Sequence, residues 1–293
     1  VHRAYNLAIK RNVSNDIFLK GAAGEEELRA RQTGEDERAR LAARTRGGLL
    51  TLGVETATEK RSAVVARGVE LLAERLCELR EGGTAAGVLE EIDRALADAR
   101  VRLEEVELFA VAKGPGSFTG LRSGLATLKA LAVTLGRPLV GVPTLHALAH
   151  AARPAERLVA LIPAGRGEVF AQLLGVDEAD VVRELSGPSH VAPARLLESL
   201  KGLGGGLKWA GGGAFKYVEL IRAAAEASGL KFVEAADSAA SPARDEWLLA
   251  RTHAGLAADV AALGQSNYLG GGAGVADEVR ALYVRPSDAE IKG

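Results

Sequence analysis

From residue 49 onward, apolar residues fall into short blocks whose spacing alternates between two periods. Leu49–Val54 is a short, mainly apolar run, fit for a buried strand. Ser62–Ala66 and Val69–Leu76 follow as two further strands, joined at Arg67-Gly68, a tight hairpin signal. Thr84–Ala99 changes to helical spacing, with Val88, Leu89, Ile92 and Leu96 on one face. Leu108–Ala112 reads as another buried strand. Phe118–Leu135 reads as a helix with Leu121, Leu125, Leu128, Ala132 and Leu135 on one stripe, ended by Gly136 with Pro138 beyond. Leu139–Val142 is the next strand. The second half begins with three strands, Leu158–Ile162, Val169–Leu174 and Val181–Leu185. A helix Pro193–Leu200, a strand Leu207–Ala210, a helix Ala214–Ser228, a strand Lys231–Glu234 and a helix near Asp245–Leu263 complete the series.

The order βββαβα therefore occurs twice, with negligible identity between the halves. Two antiparallel hairpins followed by parallel crossovers predict a mixed five-stranded sheet with flanking helices in each half. The predicted fold is α/β, with two ribonuclease-H-like lobes of the actin, hexokinase and heat-shock chaperone (ASKHA) class. Such pairs usually hold a nucleotide between the lobes. The expected divisions are an extension over 1–46, a first lobe over 47–152 and a second over 153–293. The extension carries ten basic and seven acidic residues and few large apolar ones, which predicts a solvated helix or a disordered arm.

The 293 residues carry 37 basic and 38 acidic side chains, so binding of nucleic acid through bulk positive charge is not expected. The single cysteine, Cys77, can form neither an internal disulfide nor a thiolate cluster, which fits a reducing cytoplasm. No apolar run is long enough for a membrane helix, and no secretory-type apolar core is read near residue 1.

Two loops could carry chemistry. In Gly53-Val-Glu-Thr-Ala-Thr58, Thr56 and Thr58 could bond a phosphate and Glu55 could hold a metal-bound water; a polar hairpin turn uses the same residues. In Gly114-Pro-Gly-Ser-Phe-Thr-Gly120, Gly114, Gly116 and Gly120 allow a sharp turn and close approach to a ligand. Ser117 or Thr119 can cap the following helix, whose free N–H groups form an anion site; a tight strand-to-helix turn is the other reading. The loop lacks the ending of a Walker-A sequence, and Ser117 has no hydrolase-type partners. Gly211 and Gly212 follow a strand and precede a helix, the place of an adenosine-side loop in a two-lobed nucleotide fold. His146 and His150 have metal-ligand spacing, but no third ligand is identifiable, so no metal is expected.

These residues, with Gly114-Pro-Gly-Ser-Phe-Thr-Gly-Leu-Arg122, Gly141-Val-Pro-Thr-Leu145, Gly165-Arg-Gly-Glu-Val-Phe170 and Tyr283-Val-Arg-Pro286, resemble the bacterial TsaB (YeaZ) family in order and register from about 49 to 292. The resemblance implies a degenerate paralogue of TsaD, the subunit that places threonylcarbamoyl on the adenosine beside the tRNA anticodon. It implies a non-catalytic scaffold that pairs with TsaD through its first lobe, is joined by the ATPase TsaE, and meets tRNA only through the complex. It also implies pairing with a second copy of the chain where TsaD is absent. It implies no intrinsic cofactor, with ATP or ADP confined to the interface with TsaD. The chain departs from the family at Glu55, commonly Asp, at Pro163, where an acid is usual, and at Thr84-Ala85-Ala86-Gly87 ahead of the first helix. Apolar residues fill nearly every side of the helix Phe118–Leu135, which points to Leu121, Arg122, Ala126, Ala130 and Val133 as partner-facing candidates. Alternatives of other classes are a small-molecule kinase of the same fold and a free-standing nucleotide-binding regulator.

Overall fold

A computed structural model describes residues 48–78, 86–252 and 255–284. The predicted extension over 1–46, most of Thr84-Ala85-Ala86-Gly87 and the end of the Tyr283-Val-Arg-Pro286 motif lie outside the described residues.

The first sheet has the strand order β3-β2-β1-β4-β5. It comprises β1 (Leu50–Glu55), β2 (Lys60–Arg67), β3 (Glu70–Glu78), β4 (Leu108–Ala112) and β5 (Leu139–Val142). The pairs β1–β2 and β2–β3 are antiparallel, whereas β1–β4 and β4–β5 are parallel. This is the ribonuclease-H-like arrangement that two hairpins followed by crossovers require. Two helices, α1 (Ala86–Ala99) and α2 (Phe118–Leu135), cover one face. Val88, Ile92, Leu125, Leu128 and Ala132 pack there on Leu50, Leu52 and Val54, the odd-and-even alternation of β1 having turned these three to that side. The capping is as predicted. Ser117 Oγ accepts from the Gly120 N–H at 3.2 Å, and Gly136 closes α2 in the left-handed region at φ 62°.

The second sheet runs β11-β12-β10-β6-β7-β8, with a short β9 also paired to β7. Its strands are β6 (Ala155–Gly165), β7 (Glu168–Val176), β8 (Val182–Glu184), β9 (Ser189–Val191), β10 (Leu207–Ala210), β11 (Lys231–Ala235) and β12 (Glu246–Ala250). Helices α4 (Pro193–Ser199), α5 (Gly212–Lys216) and α6 (Val218–Ala227) lie along this half. Trp209, Trp247, Leu249, Ile221 and Ala225 form its core.

Two predicted helices differ, and the second sheet has seven strands where five were expected. The helix Ala214–Ser228 is two helices, broken at Tyr217, whose backbone leaves the helical region. The stretch Asp245–Leu263 is not one helix: Glu246–Ala250 is a buried strand between β11 and β10, and the helix α7 is Ala257–Leu269. Trp247, Leu248 and Leu249 fit a strand buried on both faces, which periodicity alone does not separate from a buried helix. The fifth place in the second sheet therefore belongs to β12, and Lys231–Ala235 is an additional edge.

Two helices are exchanged between the halves. The helix α3 (Thr144–Ala151), after the first sheet, packs on β6 and β7 of the second. The helix α7, after the second sheet, packs on β1, β2, β4 and β5 of the first. Small residues let it sit close: a methyl group at Gly53 would lie 2.6 Å from the Ala257 carbonyl, and one at Gly264 would lie 2.6 Å from the Ala110 Cβ. No helix among the described residues is long and apolar enough to cross a membrane.

Candidate functional site

Between the two sheets lies a cavity of about 630 Å³. The turn after β1 and the loop entering α2 form one wall; the β6–β7 hairpin and the start of α5 form the other. Thr58, Gly116, Ser117, Gly211 and Gly212 reach its surface, so residues from all three predicted loops are brought together. Glu55, Thr56, Gly114 and Gly120 stand behind that surface and do not line it.

The reason is that the two first-lobe loops bind each other. Glu55 is fully buried and its carboxylate is turned into its own loop. It accepts from the Ala57 N–H, from the Thr58 N–H at 2.8 Å and from the Thr58 hydroxyl at 2.6 Å. Burial pushes the Glu55 carboxyl above the usual carboxylate range, and the hydrogen bonds from Thr58 and Ala57 oppose that shift without cancelling it. The Thr56 hydroxyl donates to the Gly120 carbonyl at 2.8 Å, and the Ser117 N–H donates to the Ala57 carbonyl at 2.7 Å. A methyl group at Gly120 would lie 1.9 Å from the Thr56 carbonyl oxygen, and one at Gly116 would lie 2.3 Å from that of Ala57. These glycines are thus required by contact between two stretches of backbone. Gly114 is held to the start of α3, its N–H donating to the Thr144 hydroxyl at 3.1 Å. Thr119 is exposed on the first turn of α2.

Glu55, read as a holder of a metal-bound water, therefore faces away from the cavity. Pro163 lines the cavity where an acid was the family expectation. The two spaced histidines have separate partners. His146 Nε2 is 2.9 Å from Glu184, while His150 Nδ1 is 2.7 Å from the buried Asp259. Burial lowers the His146 pKa more than Glu184 raises it. No group of three or more His, Cys, Asp or Glu side chains suited to a metal occurs among the described residues.

On α2, Leu121 is buried in the core, correcting its assignment as partner-facing. Arg122, Ala126, Ala130 and Val133 are exposed along one stripe, headed by Phe118. The Arg122 guanidinium lies 5.1 Å from the centre of the Phe118 ring, which also meets Tyr283 at 5.6 Å. Sequence reasoning missed the other cavity walls, Leu148, Ile162, Phe170, Phe215 and Leu256. It also missed Asp259, whose surroundings were predicted as a helix ending at 263.

A family model described as TsaD, tRNA N6-adenosine threonylcarbamoyltransferase, matches residues 85–271, more than half of the chain. A tRNA N6-adenosine threonylcarbamoyltransferase of Chelativorans sp. is 37% identical over 126 residues, covering 36% of this chain and 35% of the relative. The tRNA threonylcarbamoyladenosine biosynthesis protein TsaB of Haemophilus influenzae is 35% identical over 126 residues, 42% of this chain and 52% of the relative. The chain thus spans between about a third and a half of the length of these curated relatives. In structure it resembles YeaZ from Pseudomonas aeruginosa, with a TM-score of 0.63 at 24% identity over 80% of this chain and 100% of that one, a likeness of fold. The family model, which spans residues 85–271 and so reaches into both lobes, places the chain in the TsaD family.

Proposed function

We propose that this chain is a non-catalytic scaffold in the formation of threonylcarbamoyladenosine beside the tRNA anticodon. In this reading it acts in the cytoplasm, pairs with TsaD through its first lobe and works with the ATPase TsaE. ATP or ADP, where present, belongs to the contact with TsaD, and tRNA is met through the complex. The observation that carries the reading is the outer stripe of α2. Ala126, Ala130 and Val133, the last 64% exposed, form an apolar face that neither sheet covers. A run of exposed apolar residues along one helix supports an interface there. The interior of the cleft adds support, since Glu55 is engaged in its own loop and Pro163 replaces an acid.

The test is calorimetric titration of TsaD with Ala130→Glu and Val133→Lys variants. An unpaired charge inside the contact is expected to weaken association roughly 30-fold to 1,000-fold, with circular dichroism unchanged. Folded variants that bind TsaD as tightly as the parent would place the interface elsewhere. In the same preparations the chain alone is expected to hydrolyse ATP negligibly and to transfer no threonylcarbamoyl group. Turnover by the isolated chain would favour the kinase reading, and tight ATP binding without any partner would favour the regulator.

A further inference from the structure

The segment after α7 is seated more firmly than an exposed tail requires. It first meets the free edge of the first sheet, where the Leu139 N–H donates to the Gly274 carbonyl at 3.1 Å. Ala276, Val279 and Ala281 then pack on the core of the first lobe. Beyond them the Leu282 N–H donates to the Lys113 carbonyl at 2.6 Å. Two glycines make room for this path. A methyl group at Gly141 would lie 2.7 Å from a Val279 methyl group, and one at Gly114 would lie 2.6 Å from the Leu282 carbonyl oxygen. A strap held at both ends in this way delivers its last side chain to one place.

That place is the first turn of α2. The Tyr283 ring meets the Phe118 ring at 5.6 Å, and the Arg122 guanidinium lies against the same phenylalanine at 5.1 Å. Each ring is still 56% exposed, so their mutual contact does not remove them from water. Aromatic and arginine side chains held in advance lose little freedom when a partner covers them, and these residue types carry most of the binding energy where proteins meet. Among the described residues the Arg122 guanidinium has no ion pair and no hydrogen bond, which leaves its planar set of donors for a carboxylate from outside. Ala126, Ala130 and Val133 continue the exposed surface along the same helix.

We infer that the C-terminal strap belongs to the partner-facing surface. Tyr283 and Phe118 form its aromatic anchor, and Arg122 takes an acidic side chain that TsaD presents among apolar residues. This inference rests on the scaffold reading and extends its surface from α2 to the strap.

The test is calorimetric titration of TsaD with the full chain and four variants, each checked by circular dichroism. Tyr283→Ala is expected to weaken association roughly tenfold, whereas Tyr283→Phe keeps the ring and the affinity. Arg122→Ala is expected to weaken it roughly tenfold to 30-fold and to flatten its dependence on salt, because one ion pair across the contact is gone. Arg122→Lys keeps the charge and is expected to restore the salt dependence but only part of the affinity. The Ala130→Glu and Val133→Lys variants supply the comparison. If these abolish association while Tyr283→Ala binds as the parent does, the strap lies outside the contact and the inference falls with the scaffold reading intact. If all of them bind as the parent does, the scaffold reading itself falls. An unchanged salt dependence in Arg122→Ala would overturn the acidic contact. A Tyr283→Ala variant that loses only self-association, measured by sedimentation, would give the strap to a second copy of the chain and overturn the assignment to TsaD.

Discussion

Glu55 is the residue at which sequence and structure diverge most. Its position after the first strand and beside two threonines was readable, but the direction of its carboxylate was not, because an acidic turn residue can face a ligand or its own backbone. Buried as it is, its loss is expected to cost stability rather than activity. Glu55→Ala strands the Ala57 and Thr58 N–H groups and the Thr58 hydroxyl, at a cost on the order of 2–4 kcal/mol by urea unfolding. Its pKa gives the effect a direction with pH. Burial raises the folded value above the ordinary one, so between the two the folded chain binds more protons than the unfolded chain. Stability from this group is therefore greatest in acid and falls as pH rises through that window. Glu55→Gln cannot titrate, so any advantage of the parent over it is expected to shrink as pH rises above about 4.5 and then to level off. A gap that widens over the same range would contradict the assignment. Glycines offer a second residue-scale contrast. Gly120→Ala drives a methyl group into the Thr56 carbonyl and is expected to unfold the first lobe or cost about 3–5 kcal/mol. Gly87→Ala, in α1 with open space around it, is expected to stabilise by about 0.5–1 kcal/mol. Equal melting temperatures for the two variants would refute the packing account.

At the scale of elements, the legible parts were those with one clear period and strong punctuation. The helix Phe118–Leu135 has a cap at each end and a leucine stripe, and it matches its predicted bounds. Strands such as Leu108–Ala112 are short apolar runs with turn residues on both sides, and these also match. The misreading at Asp245–Leu263 came from the apolar run Trp247–Ala250, where a strand inside a sheet and a buried helix look alike. For α2, the sequence showed apolar residues on nearly every side but not which of them the sheet would take. The structure gives Leu121 and Leu125 to the core and leaves Ala126, Ala130 and Val133 outside. Of the candidate site, the sequence indicated the three loops but not that two of them would close on each other. That closure depends on contacts such as that of Thr56 with Gly120, residues 64 positions apart.

Across the whole molecule, the segment joining the two lobes is held by buried charge. Lys208, fully buried in β10, donates to the carbonyls of Ala152, Pro154 and Ser238 at 2.8, 2.9 and 2.6 Å. Burial lowers its pKa to about 8, against the pull of Asp237. On the other side, Arg153 bridges Asp180 at 2.7 Å, and its neighbour His150 meets Asp259 on α7. Lys208 and Asp259 are buried and costly to leave unpaired, whereas Arg153 and Asp180 stay partly exposed, so the connection is held mainly from its buried side. The exchanged helix α7 has a further consequence, which concerns how the chain is made. During synthesis from the N-terminus, β1 to β5 emerge long before residues 257–269, and until those arrive one face of the first sheet has no cover. The early lobe must therefore wait, its apolar surface open to solvent and to other unfinished chains, for almost all of the second lobe to be translated. A chain stopped at Thr252 is expected to aggregate, although it contains every strand of both sheets, whereas one stopped at Leu282 is expected to stay monodisperse by size-exclusion chromatography. A soluble, cooperatively melting product ending at 252 would show that the first sheet does not depend on the late helix.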